Sequence, residues 1–165
     1  DIHKGDSNTV IGITDTGTDL DHPDLEPNLK YNYADPINGI DDDSDGYTDN
    51  FQGWDLGEND NSPQVNASGH GSHVSGCAAA VTANGVGVAG PAINFQLLPV
   101  KSSLNSSSTS IDAGSDGIIY ADEHGADIIN CSWGRGGTPS QFEQDIINHV
   151  TLDLDRLVVA AAGND

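Results

Sequence analysis

Three short segments carry side chains that can move a proton together. Asp15-Thr16-Gly17 closes the apolar run at residues 9–14, and Gly69-His70-Gly71-Ser72-His73-Val74-Ser75-Gly76 opens a small-residue run at 77–81. A third segment, residues 160–165, ends in Gly163-Asn164-Asp165. An acid at the end of a strand and a histidine at the start of a helix can meet above a parallel sheet. There the carboxylate fixes the imidazole tautomer, and the imidazole takes a proton from a nucleophile. A carboxamide projecting from another strand end can donate to an oxygen on which negative charge develops.

The elements needed to position these groups are legible as patterns. Residues 9–15, 94–101, 126–132 and 157–163 read as buried strands. Between them, 70–81 is alanine-rich and reads as a helix. Residues 111–124 place Ile111, Ile118, Ile119 and Ala121 along one helical face, and 140–151 do the same with Phe142, Ile146, Ile147 and Val150. Strands alternating with helices imply an α/β fold with a mostly parallel central sheet. Sites in such sheets lie at the carboxyl ends of strands, where Asp15, Ser132 and Asn164 all fall. The run at 157–162 reads as a central strand, which calls for further neighbours. Residues 32–63 break the rhythm with a long, acidic, turn-rich loop of the kind that is usually functional. Residues 102–110 are irregular and dominated by serine.

Bulk composition narrows the partners. The 165 residues form one domain-sized unit, and five Lys and Arg against 26 Asp and Glu give a formal charge of −21. That charge argues against nucleic acid or an anionic membrane, and favours a protein that uses cations to quench repulsion. No apolar stretch reaches the 18 residues a spanning helix needs. Two cysteines, Cys77 and Cys131, define no disulfide framework and read as buried small hydrophobes.

Several of these residues also admit plainer roles. One Asp-Thr-Gly in an α/β rhythm does not fit an aspartic protease, which needs two such carboxylates in a mostly β fold. Gly69 and Gly71 allow backbone to crowd the His70 imidazole, whereas His73 reads as a packing residue and His22 as a turn histidine. Asn164 either projects into a cleft or simply terminates its strand. Sequons occur at Asn66, Asn105 and Asn130, the last inside an expected strand.

Asp41, Asp43, Asp45 and Asp49 fall at positions 1, 3, 5 and 9 of an EF-hand-like loop. Gly46 stands at the turn position and Tyr47 offers its carbonyl. Position 12 is Gln52 where a bidentate glutamate is expected, and no helices flank the loop, so this is no EF-hand. Acids packed at this spacing still call for a hard cation such as Ca2+, the alternative being a solvated loop. A second acidic cluster, Asp55, Glu58, Asp60, Ser62 and Gln64, immediately precedes the helix that begins at His70.

In combination, these segments resemble the subtilisin-like serine proteases, the subtilases, along nearly the whole chain. The resemblance implies a three-layer α/β/α fold with a mostly parallel sheet, and makes residues 1–165 part of a catalytic domain. It makes Asp15 the orienting acid, His70 the general base and Asn164 the oxyanion donor. The family's nucleophile elbow, a Gly-Thr-Ser-Met-Ala-like motif, has no counterpart in these residues, and the lead-in before the first strand looks clipped. The chain therefore reads as part of a protease, inactive by itself, whose serine would come from a complementary C-terminal segment.

The same resemblance assigns further sites. Asn130-Cys131-Ser132-Trp133-Gly134 is similar to the family strand lining the primary specificity pocket, so Ser132, Trp133 and Gly134 would bind polypeptide substrate by strand addition. Trp133 either shapes that pocket or belongs to the core. The Gly53-Trp54-Asp55 lead and the Asn61-Ser62-Pro63-Gln64 tail resemble the calcium site of thermitase-like subtilases, with Asp55, Asp60 and Gln64 as ligands. A third family site would combine Asp24 with Asn84 and the carbonyls of Val81, Val86 and Val88. The implied protein is a secreted, calcium-stabilised serine endopeptidase. The competing reading is a catalytically inactive, calcium-binding subtilase-like module.

Overall fold

A computed structural model describes residues 5–107 and 109–164. Residues 1–4, where the lead-in reads as clipped, Ser108 within the serine-rich stretch, and Asp165 lie outside the described residues.

Five parallel strands form one sheet in the order β2-β3-β1-β4-β5: β1 is Val10–Asp15, β2 Trp54–Asp55, β3 Gln96–Lys101, β4 Ile128–Cys131 and β5 Leu157–Ala160. The strand β1 lies at the centre, and all six of its residues are buried. A central parallel strand is covered on both faces, which is why residues 10–13 show no polar alternation before Thr14 and Asp15 close the strand.

Alternate residues of β1 feed two different cores, because successive side chains point to opposite faces. Ile11 and Ile13 pack with Leu29, Leu97 and Ala79, the last from helix α1 (His70–Ala79). Val10 belongs to the other cluster, with Leu98, Val100 and Ile129. That cluster also holds Ile118, Tyr120 and Ala121 of helix α2 (Gly114–Glu123), and Ile146 and Ile147 of helix α3 (Gln141–Asn148) pack against it. One helix on one face and two on the other give the three-layer α/β/α arrangement.

Several boundaries differ from the sequence patterns. The second helix begins at Gly114, so Ile111 lies in the preceding loop, and His124 follows the helix as its cap. In α3, Ser140 caps the first turn by accepting from the Glu143 amide, and the helix ends in a π turn at His149–Asp153. Phe142 is 65% exposed and not part of the buried face. The run expected as a central strand is the edge strand β5 of the described sheet, with Leu157 and Val159 exposed. The short strand β2 lies inside the acidic loop, where two residues offer no period to detect. Cys131 is buried as expected, but Cys77 is exposed, and both are free thiols.

Burial raises the Cys131 thiol to about 11, which leaves little thiolate at neutral pH. Native protein treated with an alkylating reagent at pH 7 is expected to gain mass at Cys77. Cys131 should react only after denaturant is added; equal reaction of both in native protein would contradict this packing.

Candidate active site

Asp15 ends β1 and His70 begins α1, and the crossing of these elements brings their side chains together. Nδ1 of His70 lies 2.7 Å from Oδ1 of Asp15. A carboxylate only accepts, so Nδ1 carries the proton and Nε2 is the nitrogen left to accept one. Asp15 is 1% exposed, whereas the His70 side chain is 51% exposed, so a buried anion steers an accessible base. The Thr16 amide also donates to Oδ1 of Asp15, at 2.7 Å. The second oxygen, Oδ2, is buried without a hydrogen-bond partner among the described residues.

Close backbone approach makes this contact possible. A Cβ on Gly71 would lie 2.2 Å from the Gly17 carbonyl oxygen and 3.1 Å from Cβ of Asp15, so only glycine lets α1 sit this near the end of β1. Side chains then lock the junction. The Thr16 hydroxyl donates to the Ser68 carbonyl and accepts from the Gly71 amide, and the Ser72 hydroxyl accepts from the Asp19 amide. Thr16 is a positioning residue that sequence reasoning missed. Its place directly after the acid was the available signal.

Ser132, Trp133 and Gly134 follow β4 and line, with Asp15 and His70, a cleft of about 840 Å³. A second cavity of about 940 Å³ joins His70, Ser132, Trp133 and Gly134 to Asn164. Asn164 lies four residues beyond β5 and is exposed. His70 thus borders both cavities, with Asp15 in the first and Asn164 in the second. Trp133 packs against the main core and also lines the cleft.

The acidic loop assembles differently from its sequence spacing. Carboxylates of Asp41 and Asp43 gather with that of Asp35 within 4.8 Å of one another. Asp35 is fully buried, and its oxygens accept from the amides of Asp42 and Asn50. Gly46 makes the expected turn, at φ +95°. Asp45 is directed away from the cluster, pairing with Nε2 of His124 at 2.9 Å. Asp49 accepts from the amides of Asn38 and Gly39. The Tyr47 ring packs edge-on against Trp54 and Tyr120.

The second cluster is also divided. Asp55 pairs with Lys101, both nearly fully buried, and accepts from the amides of Gly57 and Glu58. Asp60 accepts from the Ser62 amide, while Gln64 bridges the Leu20 amide and the Asp19 carboxylate. Lys101 was not anticipated, although a lysine closing an apolar strand was a visible signal. Asp24 and Asn84 do meet: the Asn84 amide donates to Asp24 at 2.7 Å, as does the Val88 backbone N–H at 2.9 Å. Those two hydrogen bonds hold the Asp24 carboxyl below its ordinary value. Its contribution to stability is therefore present above the ordinary carboxylate range and is lost as pH falls through the depressed value.

The parallel sheet thus carries a buried acid and an accessible histidine beside a cleft at its strand ends. The Subtilase family profile matches residues 6–165, and the chain belongs to that family. It is 38% identical to thermitase of Thermoactinomyces vulgaris over 164 residues, covering 99% of this chain and 50% of that protein. It is 35% identical to an extracellular basic protease of Dichelobacter nodosus over 177 residues, covering 94% of this chain and 29% of that one. The chain thus spans half or less of the length of these relatives. In fold, it superposes on the prenylagaramide maturation protease PagA with a TM-score of 0.64 at 23% identity, covering 98% of this chain and 48% of that one.

Proposed function

We propose that the protein is a secreted serine endopeptidase in which Asp15 and His70 activate a serine supplied by a segment outside these 165 residues. The observation that carries the reading is the 2.7 Å contact between a buried carboxylate and Nδ1 of an accessible histidine. In this reading Nε2 of His70 takes the serine proton as the hydroxyl attacks the peptide carbonyl. Asp15 steadies the imidazolium that forms. The Asn164 carboxamide donates to the tetrahedral oxyanion, and the proton on His70 passes to the leaving amine. Water then repeats the sequence to release the acyl group. Ser132–Gly134 would hold the substrate backbone as an added strand. The names of the relatives support secretion, and among the described residues no helix is long and apolar enough to cross a membrane.

The test is hydrolysis of denatured casein by the full-length parent. Cleavage that is lost after treatment with a serine-reactive phosphonate is expected; no cleavage at all would favour the non-catalytic calcium-binding module.

Calcium is the second part of the proposal. The oxygen donors of Asp35, Asp41 and Asp43 fit a hard cation, and their charges at this spacing repel one another without one. Bound only to the folded state, calcium at 100 times its Kd would add about 2.7 kcal/mol of stability. Thermal unfolding of the full-length parent should therefore shift upward on adding calcium and downward on chelation, and Asp41→Asn should shrink the shift. An unfolding curve indifferent to calcium would contradict this assignment.

A further inference from the structure

The cleft beside His70 carries a second set of groups, unused by proton transfer. Trp133 packs over Gly114, where a Cβ would lie 2.5 Å from the indole Cη2. The missing side chain lets the ring settle against the start of α2. Its Nε1–H donates to the Thr14 carbonyl at 2.8 Å and to the Thr14 hydroxyl at 3.0 Å, which fixes the plane of the ring. The same cleft is lined by Phe142, Asp112 and Asp116.

Both acids are exposed, and neither forms an ion pair among the described residues. Asp112 is oriented by the Leu104 amide and the Ser110 hydroxyl, donors that leave its charge uncompensated. Arg135, which also lines the cleft, is already bound to Glu143 at 2.8 Å. The unpartnered Oδ2 of buried Asp15 deepens the negative potential of the same cleft.

We propose that this wall is a subsite for a basic side chain of the bound polypeptide, a lysine or arginine lying on the Trp133 indole with its head at Asp112 and Asp116. The inference rests on the proteolytic reading given above and adds the substrate class. An aromatic face attracts a cation through its ring quadrupole, and long basic side chains lay their methylenes along such a face while the charged head stays in water. An apolar side chain at this place would strip water from two carboxylates with nothing in return, and an acidic one would be repelled. Both carboxylates face solvent, so the attraction is screened by salt.

The experiment compares hydrolysis by the full-length parent of two peptide libraries that differ only in lysine or alanine at each position outside the scissile bond. At one position the lysine peptide is expected to have a kcat/KM roughly tenfold above the alanine peptide, the size of two partly exposed charge contacts. That ratio should fall toward one in Asp112→Asn/Asp116→Asn and should shrink in 1 M salt. Trp133→Leu should lower it as well. Hydrolysis with no lysine preference at any position, or a preference that survives the double substitution, would overturn the subsite alone. No hydrolysis of either library, together with no labelling by a serine-reactive phosphonate, would overturn the proteolytic reading and the subsite with it.

Discussion

Replacing His70 by alanine in the full-length parent is expected to lower kcat by about 10⁴- to 10⁶-fold, the range found when a triad base is removed in other serine proteases. KM should change far less, because the imidazole acts on the proton and not on the substrate backbone. Asp15→Asn should cost about 10⁴-fold by a different route. The carboxylate accepts from Nδ1 at 2.7 Å, whereas a carboxamide in that buried place can donate to Nδ1 instead. The proton then moves to Nε2, and the nitrogen facing the nucleophile can no longer accept. Because both substitutions disable one proton path, the double variant should be little slower than His70→Ala alone. A His70→Ala protein that kept more than a hundredth of the parental rate would contradict the role given to that histidine.

The second large effect is expected on stability, at Lys101→Ala. Lys101 and Asp55 are each about 1% exposed, and the ammonium also donates to the Asn105 side chain at 2.6 Å. Removing one partner of such a pair leaves a buried charge unmatched, at a cost of about 3–5 kcal/mol. For a protein of this size or somewhat larger that corresponds to roughly 10 °C in Tm. Replacing both groups by apolar residues of similar volume, Lys101→Met with Asp55→Leu, should recover most of the loss, since no charge is then stranded. Thermal melts are best run with chelator present, so that no bound cation compensates for Asp55. A Lys101→Ala protein melting within a degree or two of the parent would show that water or another cation reaches Asp55.

What the sequence revealed depended on the length over which each signal was written. The strands β1 and β3 and the helix α1 were legible because six to ten residues share one pattern. Their order along the chain places Asp15 and His70 at the same end of the sheet. The mostly parallel sheet follows from the same alternation, whereas the three-layer arrangement is what the resemblance to the subtilases implies. Contacts made by single residues were not legible. Asp35 joins Asp41 and Asp43 from outside the acidic run, and nothing in its neighbours marks it. Asp45 leaves the run because His124, 79 residues away, competes for it. Spacing along the chain marks the acidic loop, while contacts from residues distant in sequence decide which of its carboxylates gather.

Phe142 is instructive for the same reason. Its position fits the apolar face of α3, which buries Ile146 and Ile147 only partly and Val150 in the following turn. The first turn of that helix overhangs the cleft instead of the core, so Phe142 is exposed there. Helical periodicity specifies a face, and the length of the underlying sheet decides how much of that face is covered.

The most direct test of the central claim is intact mass spectrometry of the full-length parent after reaction with a fluorophosphonate, beside its His70→Ala variant. The account predicts a single phosphonylated serine in the parent and almost no labelling in the variant, because the Asp15–His70 pair makes that hydroxyl nucleophilic. An unlabelled parent, or equal labelling of both proteins, would contradict it.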